Sequence, residues 1–184
     1  MRRIIVEGAD GTGKTTLIEY LMNQFHFLRL IVNTLGPQQN FNTWWPLQLA
    51  QNTPPEVPIH DRFFYSELVY GPLFRGYLAA SQGVISGVRF RLREEALLIY
   101  ANTREPILDK NPQMEGVIDN HLSVERAYEK LMQSERDFYP AGRFYMYDWT
   151  EPDALHRVEA IVERYLDLYP NDHRSDPSSI GGGS

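Results

Sequence analysis

Short apolar runs alternate along the chain with longer stretches in which apolar positions recur at helical spacing. Residues 2–7 (RRIIVE), 28–34 (LRLIVNT), 57–60 (VPIH), 96–101 (ALLIYA) and 143–147 (RFYMY) have the length and content of strands. The run ALLIYA is apolar throughout, as expected of a parallel strand covered on both faces. Between these runs, residues 15–25 place Leu17, Leu21 and Met22 on one helical face. Residues 123–138 do the same with Val124, Ala127, Tyr128, Leu131 and Met132, and residues 150–168 with Leu155, Val158, Ile161, Val162 and Tyr165. Thr150 and Asp153 are spaced like a capping box, with Pro152 in the first turn of that last helix. Weaker helical patterns cover 66–80, broken or kinked at Gly71-Pro72, and the arginine-rich 88–95. A short helix is expected near 44–51, inside a stretch rich in Pro, Asn and Gln. Residues 104–120 have little periodicity and read as a loop. The polar tail from 170, ending in Gly-Gly-Gly-Ser, is expected to be disordered.

Strands alternating with helices predict a three-layer α/β fold around a central, mainly parallel five-stranded sheet. One domain, residues 1–169, accounts for the pattern, followed by the tail 170–184. Such sheets bind ligands beyond the carboxyl ends of their strands. Composition narrows the partners. The formal net charge is −6, which disfavours broad charge-driven binding to a nucleic acid polymer. Cysteine is absent, which excludes disulfides and thiolate metal sites and fits a reducing cytoplasm. No apolar stretch approaches the roughly 20 residues that span a bilayer. The chain enters a strand-like run at once, with no signal segment ahead of it. The expectation is a cytoplasmic protein without membrane partners.

Two motifs carry chemistry, each at the end of an expected strand. Residues 8–15 (GADGTGKT) match G-x-x-x-x-G-K-[ST] without exception. From average composition the pattern arises by chance in about 1 chain in 100 of this size. Here it also lies between a strand-like and a helix-like segment, as the mechanism requires. Gly8, Gly11 and Gly13, with Thr12, let backbone N–H groups turn around phosphate oxygens, and the helix that follows presents its positive end to the same anion. Lys14 is expected to face solvent and reach the β- and γ-phosphates of ATP. Thr15 would place its hydroxyl on Mg2+, with Thr16 beside it. Asp61-Arg62 closes the third strand. Asp61 suits the metal shell opposite Thr15, and Arg62 offers a planar fork for a phosphate. His60, just before them, reads as a packed strand residue and not as a metal ligand.

These segments resemble the thymidylate kinase family of P-loop nucleotide kinases. Residues 4–16 (IIVEGADGTGKTT) are similar to that family's V-E-G-x-[DE]-G-x-G-K-[ST]-T loop. Residues 61–70 (DRFFYSELVY) are similar to its D-R-[YFH]-x-x-S-x-x-x-[FY] segment, and QMEGV at 113–117 resembles small phage-encoded deoxynucleotide kinases, for which the location would be the host cytoplasm. The resemblance implies a P-loop kinase fold with a lid at about 104–120. It implies that Asp10 holds an acceptor 3′-hydroxyl, that Arg62 clamps the acceptor phosphate, and that Tyr70 packs under the sugar and disfavours a 2′-hydroxyl. Phe63 belongs to the same segment. Arg75 resembles a further basic residue near the acceptor, and Glu7 a carboxylate near the phosphates. Trp44, Trp45 and Gln48 stand where the family puts its base pocket, without the family's arginine. The phosphate loop has no arginine either, so the catalytic cation would come from the lid, where Arg104 and Lys110 are the basic residues. Thr34-Leu-Gly-Pro37 replaces the family's Arg-Glu-Pro, which removes one acceptor-phosphate ligand, and because the base pocket lacks the family's arginine, thymine specificity does not carry over.

The function expected is ATP- and Mg2+-dependent phosphoryl transfer to a (deoxy)nucleoside monophosphate, dTMP or another dNMP. A deoxynucleoside kinase acting on a 5′-hydroxyl, with Glu7 as base, is the alternative within enzymes. A P-loop ATPase or nucleotide-binding switch is the alternative of another class. The resemblance leaves a homodimer open.

Overall fold

The computed structural model describes residues 2–32, 40–50, 56–103 and 120–167. Arg104 and Lys110 of the expected lid, the QMEGV stretch, the segment 34–37 and the tail lie outside the described residues. Five strands form one parallel sheet: β1 (Arg3–Glu7), β2 (Leu28–Val32), β3 (Val57–Asp61), β4 (Ala96–Ala101) and β5 (Phe144–Tyr147), in the order β2-β3-β1-β4-β5. After β1 the chain moves to one edge, and after β3 it crosses to the other. The carboxyl end of β1 is therefore the switch point where such sheets open a crevice.

The sheet separates two apolar layers, as strand alternation demands. Ile4, Val6, Leu97 and Ile99 face α1 (Lys14–Gln24) and α6 (Ala154–Asp167) through Leu17, Leu21, Val158 and Val162. Ile5, Leu98 and Tyr100 face the other side. There α2 (Phe41–Ala50), α3 (Phe64–Tyr70), α4 (Gln82–Glu95) and α5 (His121–Arg136) contribute Trp45, Phe64, Leu92 and Tyr128. The three-layer α/β expectation is thus met, with every strand pair parallel.

Helix boundaries depart from the sequence pattern where the chain supplies its own caps. α4 begins at Gln82, six residues before the arginine-rich stretch, because the Ser81 hydroxyl accepts the Val84 amide at 3.4 Å. The expected break at Gly71-Pro72 is a single π-turn, Gly71–Arg75, continuing from α3. A Cβ on Gly71 would lie 2.7 Å from a Glu67 carboxylate oxygen and 3.1 Å from the Tyr77 carbonyl oxygen, so any side chain there would have to displace the Glu67 carboxylate. The capping box at Thr150 does not form. Thr150 instead donates both its amide (3.0 Å) and its hydroxyl (2.7 Å) to Asp148 Oδ1. Pro152 falls in the resulting turn, and α6 starts at Ala154 after Asp153 in the left-handed region (φ 55°). The short oxygen of Asp148 reaches the Thr150 amide before the chain turns helical, and this pre-empts the later cap.

At the opposite end of the sheet, Arg3 is fully buried and donates to the carbonyl oxygen of Leu49 at 3.0 Å. Its ion pair with Glu95 spans 3.6 Å. A cation at the carboxyl end of α2 satisfies a terminal carbonyl and opposes the helix dipole. It also ties α2 to β1.

Candidate functional site

The phosphate loop is shaped by its glycines. Gly8 has φ 146°, and a Cβ there would collide with the carbonyl oxygen of Ala101, so only glycine lets the loop leave β1 this close to β4. Gly13 caps α1 in the left-handed region (φ 81°) with its Cα face against Trp149, whose Cδ1 would stand 3.1 Å from a Cβ. Thr12 is buried and donates to the Ala9 carbonyl oxygen at 2.9 Å. Lys14 donates to the same oxygen. Thr15 and Thr16 are exposed at the start of α1.

Lys14 corrects one expectation: it is buried before any ligand binds. Desolvation is the largest influence on its ammonium, with Arg62 adding repulsion, and the pKa is pushed down to about 7 against the pull of Asp10, Asp61 and Glu7.

Opposite the loop, β3 delivers Asp61 and Arg62. Asp61 pairs in register with Val6 and Val32 and remains half-exposed. Arg62 has φ 60°, a conformation uncommon for a side-chain-bearing residue. Its amide is fixed by the Val6 carbonyl oxygen at 2.9 Å. The guanidinium is then held from three sides. Nη2 pairs with Asp10, Nη1 donates to the hydroxyls of Tyr70 (3.1 Å) and Tyr128 (3.2 Å), and Cζ lies 5.1 Å from the centre of the Tyr70 ring. Tyr70 in turn donates to the second oxygen of Asp10 at 3.3 Å. Burial works against the charge, but the surrounding phenols of Tyr128 and Tyr70 and the carboxylates of Asp10 and Glu7 outweigh it, and the pKa of Arg62 is raised.

Glu7 lies beneath this cluster, fully buried. Its carboxylate accepts the amides of Phe63 (2.7 Å) and Ser66 (3.2 Å) and the hydroxyls of Ser66 (2.7 Å) and Tyr128 (3.1 Å). Two of these donors are amides at the start of α3, so Glu7 does what an N-cap does, from another strand. Burial pushes its pKa up, and the hydrogen bonds and Arg62 oppose the shift. With both oxygens engaged by protein donors, Glu7 organises Arg62 and α3 from below.

The structure thus brings together Glu7, Asp10, Lys14, Asp61, Arg62 and Tyr70. The aromatic candidates divide. Trp45 and Phe63 are fully buried, Trp45 stacked on Phe41 at 4.7 Å and Phe63 against His60 at 4.7 Å. Trp44 stays half-exposed, its ring 6.0 Å from Phe63, with Gln48 one turn further along α2. Arg75 pairs with the buried Glu67 and lies 5.7 Å from the Tyr77 ring, closing the π-turn. His60 is a buried strand residue, as expected. Tyr128 is the member that sequence reasoning placed only in the apolar face of its helix. Its one signal was a polar tip on that face, and Ser66 was already marked by the serine of the D-R-x-x-x-S segment.

The donor set fits Mg2+. Thr15 and Asp61 offer a hydroxyl and a carboxylate, both solvent-accessible, at the mouth of a phosphate loop, and a hard cation of this kind takes few protein oxygens beside phosphates and water. Among the described residues there is no cluster of three or more His, Asp or Glu able to hold a metal by themselves. Nor is any described helix long and apolar enough to cross a membrane.

No protein-family model and no curated protein sequence matches the chain. Among solved structures, the chain is similar to the YorR protein of Bacillus subtilis, determined in complex with phosphorylated GDP. The TM-score is 0.65 at 20% identity, over 88% of this chain and 96% of that one. The two proteins share an α/β fold.

Proposed function

We propose that the protein is a P-loop kinase that transfers the γ-phosphate of ATP to the phosphate of a nucleoside monophosphate, with a deoxynucleotide as the expected acceptor. The observation that carries this reading is Arg62. A guanidinium is held at the end of β3, across the crevice from the phosphate loop, in a strained backbone conformation and paired to Asp10. A phosphate dianion is the acceptor group that such a fork fits. The binding of a phosphorylated guanine nucleotide by YorR supports a nucleotide ligand and adds guanine to the bases worth testing.

In this reading Lys14 leaves the Ala9 carbonyl for the β- and γ-phosphates, and the amino end of α1 stabilises the same charge. Thr15 and Asp61 would hold Mg2+, which when bound neutralises charge on the donor phosphates. Arg62 orients the attacking phosphate oxygen. Such an acceptor is acidic enough to attack without a strong base. Saturation of Glu7 by four protein donors disfavours the 5′-hydroxyl alternative, which needs that carboxylate as a base. Tyr70 and Asp10 would read the sugar.

The test is a turnover screen with ATP and Mg2+ across the common nucleosides, their monophosphates and deoxy-monophosphates, paired with Arg62→Lys. Arg62→Lys keeps the charge and loses the fork, so kcat/KM for the best monophosphate should fall roughly ten- to a hundredfold. ATP binding without acceptor should change far less. Turnover only with nucleosides would reject the proposal. So would ATP hydrolysis indifferent to any acceptor.

A further inference from the structure

We propose that Tyr128 is a positioning residue for Arg62, wiring the buried carboxylate of Glu7 to the guanidinium that takes the acceptor phosphate. The inference rests on the phosphotransfer reading above and adds a residue that neither the phosphate loop nor the Asp-Arg segment contains. Tyr128 sits mid-way along α5 and is fully buried. Its hydroxyl accepts Arg62 Nη1 at 3.2 Å and donates to Glu7 Oε2 at 3.1 Å, with Ser66 Oγ at 2.8 Å. The order is therefore N–H to phenol to carboxylate, a relay in which each partner polarises the next. The ring is oriented independently of the hydroxyl: it is stacked with Tyr100 at 6.1 Å and meets the Tyr70 edge at 6.1 Å.

The two ends of the Arg62 fork are treated differently. Nη1 is gripped by two neutral phenols, the fully buried Tyr128 and the part-buried Tyr70, and Tyr128 has no reason to leave. Nη2 is paired with Asp10, a half-exposed carboxylate on a loop. A phosphate arriving from solvent can replace Asp10 at Nη2, one anion for another, while Nη1 stays in place. Tyr128 thereby fixes the direction of the guanidinium through the exchange. A tyrosine kept only for packing would need neither contact.

Tyr128→Phe removes the hydroxyl and keeps the ring. Loss of one hydrogen bond to a charged group should raise KM for the monophosphate acceptor about tenfold. KM for ATP should stay within about twofold, as no donor-side group is touched. The same substitution in an Arg62→Lys background should cost less than about twofold, since the group it positions is gone. An acceptor KM unchanged in Tyr128→Phe, while Arg62→Lys is impaired, would overturn the role of Tyr128 alone. An equal loss in both backgrounds would also overturn it, by marking Tyr128 as a packing residue. Indifference of acceptor KM to Arg62→Lys would reject the kinase reading itself, and this proposal with it. Should Tyr128→Phe not fold, the wild-type protein decides through the 15N-bound guanidinium protons of Arg62. Slowly rotating Nη1 protons with nuclear Overhauser contacts to the Tyr128 ring support the proposal, and a freely averaging guanidinium defeats it.

Discussion

At the scale of single residues, Lys14 shows how burial tunes a cation beside the phosphate loop. With a pKa near 7 it is mostly neutral at pH 8, held against the Ala9 carbonyl oxygen. A polyphosphate placed beside it favours the ammonium and returns the pKa toward its ordinary range. Nucleotide binding at pH 8 should therefore take up about one proton. Calorimetry in two buffers of different ionisation enthalpy measures this directly: the apparent enthalpy should track the buffer in the wild type and lose that dependence in Lys14→Ala. A buffer-independent enthalpy in the wild type would show that Lys14 is already charged in the free protein. The sign for stability follows from the same shift. Between about pH 7 and 10.5 the unfolded chain holds the proton more tightly than the fold does, so the Lys14 contribution to stability improves as pH rises through that window. Arg62 is the complementary case, its charge kept by neighbours and its backbone held in an uncommon conformation by one strand hydrogen bond and an aromatic cage.

At the scale of elements, the junction of α3, α4 and α5 is fixed by one buried carboxylate. Glu135 is almost fully buried and meets Arg89 at 3.0 Å, Arg93 through both Nε and Nη2 at 3.0–3.1 Å, and the Tyr65 hydroxyl at 3.3 Å. Both arginines keep partial contact with water, so removal of the carboxylate leaves them less stranded than fully buried cations. Glu135→Ala should cost about 2–3 kcal/mol, below the usual 3–5 for breaking a buried pair. Glu135→Gln, which retains an acceptor, should cost less. Urea denaturation midpoints test this, and a cost under about 0.5 kcal/mol for Glu135→Ala would mean the junction is held by apolar packing alone. Elements were legible from sequence to very different degrees. All five strands were visible as apolar runs: β1, β3 and β4 because strands covered on both faces write themselves as near-continuous hydrophobicity, and the partly exposed edge strands β2 and β5 by their aliphatic and aromatic content. The phosphate loop and Asp61-Arg62 were visible because their backbone demands specific residues. The start of α4 was not, since Gly83 and Gly87 dilute its helical pattern and its beginning rests on one serine cap. Tyr128 was legible as packing only, and Glu7 as a carboxylate near the phosphates but not as the anchor of α3 and Tyr128. Their polar partners lie 62 and 56 or more residues away in sequence, and no local pattern records such a meeting.

For the whole molecule, the inner strand β3 carries an acid sensitivity that no site residue needs. His60 is buried between β1 and β2, registered with Ile5 and Ile31, with its ring 4.7 Å from Phe63. Burial, and then the positive charges of Arg3 and Arg29, push its pKa down to about 3. The fold thus keeps the imidazole neutral where an unfolded chain would protonate it below about pH 6.5. Stability is fully present above that value and is lost as pH falls through the window from 6.5 toward 3, because there the unfolded state binds the extra proton. Between pH 7 and pH 5 the loss from this one residue is about 2 kcal/mol. Glu7 works in the other direction, since its raised pKa lets the fold gain a proton on acidification. Comparison of two proteins that share Glu7 cancels its effect. His60→Phe keeps a ring in the strand, and although its absolute stability will differ, the slope against pH is the readout. Urea unfolding at pH 7 and pH 5 should show the wild type losing about 2 kcal/mol more than His60→Phe over that interval. Equal losses would place the acid sensitivity elsewhere, and a wild type more stable at pH 5 than at pH 7 would mean that Glu7, not His60, governs how the molecule responds to acid.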